Sequence, residues 1–135
     1  MSRKTEIQIP PRVFIIQQPK PKIDGWVPSF DTAAKYGGLH FVFEQSDRAH
    51  LDPSLAIRKV SEALDDFNPD QDYLLPTIFG DPATTWVSIC WLVPLLLDKG
   101  FKFLTFLYWN RGKGEEGMTN ANGYYSPCKI PLDFP

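Results

Sequence analysis

The residues best suited to chemistry gather at junctions where an apolar run ends. Gly80-Asp81-Pro82-Ala83-Thr84-Thr85 leads from one such run into the next. At a helix N-terminus the first N–H groups lack partners and the peptide dipoles favour an anion. Thr84 and Thr85 would add hydroxyl donors, Arg111 a positive charge, and Trp109 a face for stacking. With Glu44 and Asn110, which close two other apolar runs, these residues form a candidate site for a nucleotide-like phosphate or another phosphorylated small molecule. The same turn is also the ordinary way to stop a strand and start a helix. Gly80 turns the chain, Asp81 caps, and Pro82 takes the first helical position. Asp81 would repel a phosphate, and neither the Walker phosphate loop nor GxGxxG is present. Capping is therefore the stronger expectation. Glu44 and Asp81 could pair for acid/base work, but solvated carboxylates at strand ends are far commoner.

The remaining polar candidates are weaker. Asp47, His50 and Asp52 lie close together, but three ligands in one polar connection, without a second cluster, make a poor metal set. Ser88 has no GxSxG around it and Cys90 no adjacent histidine, so core packing is expected of both. No catalytic residue, metal or cofactor is implied. Aromatic residues are the larger anomaly, with four Trp, five Tyr and ten Phe in 135 residues. Trp26 and Phe30 stand in a proline-rich stretch, Trp86 on an apolar helix, and Tyr124 beside Tyr125 in a strand, where neighbours face opposite ways. Aromatics beyond the needs of a core suggest a partner surface, formed by Trp26, Phe30, Trp86, Tyr124 and the loop 112–122. The competing expectation is that they seal proline-rich segments over a sheet.

The elements that must carry these residues follow from pattern. Arg12–Gln18, Leu39–Glu44, Asp72–Phe79, Phe101–Trp109 and Tyr124–Leu132 read as strands. Pro76 sits awkwardly in the third, since proline donates nothing to a ladder. Asp31–Tyr36 could form one or two helical turns before Gly37-Gly38. Asp52-Pro53 opens a helix whose Leu55, Ala56, Val60, Ala63, Leu64 and Phe67 share one face. Ala83–Lys99 is a second helix, apolar nearly all round, which implies burial on more than one side. Pro94 should kink it and Gly100 should end it. The order β–β–α–β–α–β–β predicts an α/β fold. It is a small Rossmann-like three-layer domain, with a mixed sheet of about five strands, a parallel core and an antiparallel C-terminal edge hairpin. Residues 1–11 are expected as a flexible arm and 12–135 as a single domain.

From Asp72 onward the wording is distinctive. DYLLPTIFGDPATT precedes the apolar helix, the next strand closes on LYWNR, and the chain ends in YYSPCKIPL. In these motifs the chain resembles a group of small proteins encoded in bacteriophage genomes. The earlier pieces RVFIIQQP and PSFDTAAKYGGLHFVFE fall in the expected order, so the likeness spans about residues 12–133. Asn110 stands where that group has Asp, and the 112–122 insertion is longer. The resemblance implies a phage origin and an α/β fold, and carries over no catalytic residue.

Composition narrows the function. A net charge of −2 gives no basic footprint, so nucleic acid is not expected as the main partner. Trp86–Leu97 is too short, at about 18 Å of helix, for a ~30 Å hydrocarbon core. Two separate cysteines make no disulfide framework and suit a reducing compartment. The expectation is a non-enzymatic phage accessory protein in the cytoplasm of an infected bacterial host. It would act by protein–protein binding, as a homo-oligomer or on a host or viral protein. The alternatives are a phosphate-ligand binder or enzyme using the Gly80–Thr85 turn, and a virion structural protein.

Overall fold

The computed structural model describes residues 9–21, 23–25, 28–76, 82–110 and 123–133. Five strands form one sheet: β1 (Arg12–Gln17), β2 (Gly38–Phe43), β3 (Tyr73–Leu75), β4 (Phe103–Asn110) and β5 (Tyr124–Pro131). Their spatial order is β2-β1-β3-β4-β5. All neighbours are parallel except β4 and β5, which run antiparallel from Phe103 opposite Pro131 to Asn110 opposite Tyr124. The expected parallel core with an antiparallel edge hairpin is what the chain forms.

Two helices, α1 (Pro53–Ala63) and α2 (Pro82–Asp98), provide the crossovers into β3 and β4. Asp52 caps α1, its carboxylate accepting the Leu55 N–H at 3.2 Å, and Pro53 takes the first position. Both helices lie on one sheet face. Ala56, Val60 and Leu64 of the α1 segment meet Leu92 and Leu96 of α2 over Phe14, Ile16, Leu74 and Leu104. The alternate residues Val13, Ile15, Leu75 and Leu107 face the other way, onto Phe30, Ala33 and Tyr125. That second face is covered by the long β1–β2 connection, whose described residues include a 3-10 turn at Ala34–Tyr36. Pro19, Pro21, Gly25 and Pro28 deny it a helix. Chirality explains the two sides. A right-handed step leftward from β1 to β2 must cross one face, and the rightward steps through α1 and α2 the other.

Two glycines are demanded by close approach. A Cβ on Gly37 would lie 2.6 Å from the Pro11 carbonyl oxygen, where the connection rejoins the sheet. Gly123 has φ +70°, and a Cβ there would lie 2.7 Å from the Trp109 ring.

Several elements differ from expectation. β3 stops at Leu75, one residue before Pro76, because the proline cannot extend the ladder; residues 77–81 lie outside the described part. Pro94 lies inside α2 as read from the sequence, on the exposed side of the helix. Only one ridge of α2 is fully buried, Thr84, Ser88, Leu92 and Leu96, so the helix is not covered on several sides. Cys90 is correspondingly exposed and has no part in the core.

Candidate functional site

In sheets of this kind ligands bind beyond the carboxyl ends of the strands, where the winding reverses; here that is between β1 and β3. The β1 side of this crevice is filled by the protein itself. Gln17, fully buried at the end of β1, donates from Nε2 to the carbonyls of Glu44 (3.1 Å) and Asp47 (2.8 Å). Asp47 accepts the Glu44 N–H at 2.8 Å and the Lys59 ammonium at 2.6 Å. Burial raises the Asp47 pKa, and the Lys59 and Glu44 hydrogen bonds outweigh it, so the carboxyl lies below its ordinary value.

Thr84 belongs to the same plug. Its buried Oγ accepts the Ala49 N–H at 3.0 Å and lies 3.4 Å from the Asp47 carbonyl. Its own carbonyl accepts the Ser88 hydroxyl at 2.7 Å. A hydroxyl so engaged pins the β2–α1 connection to α2 and has little to offer a ligand. Glu44 is exposed, with its carboxylate 3.9 Å from Lys59, and Thr85 is half-buried.

Trp109 and Asn110 stand elsewhere. Three strand spacings, roughly 14 Å, separate β2 from β4. Trp109 shares the face of Leu107, away from α2, and meets the Tyr125 ring edge-on at 4.9 Å between centroids. Tyr125 is buried there, which pushes its phenol up to about 12. Asn110 points to the opposite face and donates from Nδ2 to the Tyr124 hydroxyl at 3.2 Å. The expected phosphate-site residues are thus divided among a structural plug and two faces of the hairpin. Gly80, Asp81 and Arg111 lie outside the described residues. Among the described residues no group of three His, Cys, Asp or Glu gathers at metal-binding distance.

The partner-surface residues also separate. Phe30 is buried, stacked on Tyr125 at 6.1 Å and edge-on to Phe41 at 5.9 Å, so its ring seals the sheet instead of facing a partner. Tyr124 is half-buried with its hydroxyl engaged. Trp26 and the 112–122 loop lie outside the described residues. Trp86 is 68% exposed, and it is not alone. Cys90 and Pro94 are exposed and Leu97 is 48% exposed, with Val93 half-buried among them. These residues share the side of α2 opposite the buried ridge. The signal was present in the spacing of Trp86, Cys90, Val93 and Leu97, but an all-apolar helix does not reveal which ridge the sheet will take.

A second cluster lay beyond sequence reasoning. Asp72, fully buried at the amino end of β3, accepts the Arg12 N–H (3.0 Å), the Arg12 guanidinium (2.9 Å) and the Asn68 N–H (2.9 Å). Arg12 also binds Asp66 at 2.9 Å. The cluster joins the first strand to residues sixty positions away, and every group in it serves the fold.

Among the described residues, fold and surface define a parallel-core α/β protein in which the β1 side of the crevice is filled and α2 shows an exposed apolar face. Residues 11–119 match the model of the Phage Pam3 gp32-like protein family, and the chain belongs to that family. Comparison with curated proteins gave no match, nor did comparison with solved structures. Among the described residues no helix is long and apolar enough to cross a membrane.

Proposed function

We propose that this phage-family protein is a non-enzymatic accessory protein that works by docking onto another protein molecule through the exposed face of α2. One observation carries the reading. The helix has a solvent face built from Trp86, Cys90, Val93, Pro94 and Leu97, with no charged residue between Pro82 and Leu97. Exposed apolar patches of this kind mark interaction surfaces, and tryptophan is a preferred anchor in them. Among the described candidates, Glu44 and Thr84 stand apart from Trp109 and Asn110, which favours docking over a small-molecule role. The partner classes are a second copy of the chain or a host or viral protein, met in the cytoplasm of an infected bacterium.

The test is a binding comparison between the wild-type chain and Leu97→Glu, which places a charge on the exposed face without touching the buried ridge. A protein that binds the wild type directly, once identified and purified, should lose affinity about 30-fold or more for the variant. Unchanged affinity would remove α2 from the interface and overturn the reading.

A further inference from the structure

We draw no further inference here: the strongest candidate, the outer edge of strand β2 with its exposed His40 and Phe41, is an unpartnered sheet edge among the described residues, and nothing in the structure shows what covers it.

Discussion

Replacing Thr84 with valine keeps the shape of the side chain and removes one oxygen. That oxygen accepts the Ala49 N–H at 3.0 Å, and both residues are fully buried. The Asp47 carbonyl, 3.4 Å from the same oxygen, is already served by Gln17 at 2.8 Å. Among the described residues the loss therefore falls on the Ala49 N–H, left without its acceptor inside the protein. Such a group costs about 1–3 kcal/mol. At a central value of about 2 kcal/mol, and roughly 3–5 °C per kcal/mol for a chain of this length, the melting midpoint should fall by about 6–10 °C. Thr84→Ser, which restores the oxygen and removes a methyl, should recover much of the loss. Thermal melts and urea titrations of the two variants read this directly. A Thr84→Val midpoint within about 0.5 kcal/mol of wild type would refute the reasoning. It would return the Thr84 hydroxyl to the list of groups available to a ligand.

Three further outcomes follow from the same structure. Asp72→Ala leaves the Arg12 guanidinium with Asp66 but removes its buried carboxylate and the acceptor of two backbone N–H groups, and should cost more than about 2 kcal/mol in chemical denaturation. The Asp47 carboxyl has a folded pKa below its unfolded one, so its contribution to stability is present above the unfolded value and lost as pH falls through the folded value. Stability measured across that acid range should decline less in Lys59→Met, where the shift is relieved. Gly123→Ala forces a Cβ into a left-handed position and against the Trp109 ring, and should lower stability by more than about 1 kcal/mol, with a change in tryptophan fluorescence as the ring moves.

Local signals made most of the fold readable. The Asp52-Pro53 opening and one apolar face are enough for α1, and the apolar run Val13–Ile16 with residues buried on both faces is enough for β1. Pro76 marked its own boundary, and the strand ends beside it. What stayed hidden depends on partners distant in sequence. Cys90 and Leu92 are equally apolar neighbours on one helix, and only the position of the sheet makes one exposed and the other buried. Thr84 looked like a ligand residue because helix starts present hydroxyls to solvent; the segment at Ala49, thirty-five residues earlier, takes that hydroxyl instead. Phe30 sits in a proline-rich connection of the kind that usually lies on the surface, yet this connection replaces a helix as the cover of one sheet face. Asp72 reads only as the first residue of a strand, and nothing local in the sequence brings Arg12 alongside it.

The exposed face of α2 remains the point on which the functional account turns. Its most direct test is the light-scattering mass of the full chain at micromolar concentration, measured for the wild type and for Leu97→Glu. The account predicts a wild-type mass above the single-chain 15.4 kDa, as a pair or with an identified partner added, and a single folded chain for the variant. A wild type that stays at one chain mass, and binds no identified protein through this helix, would contradict it.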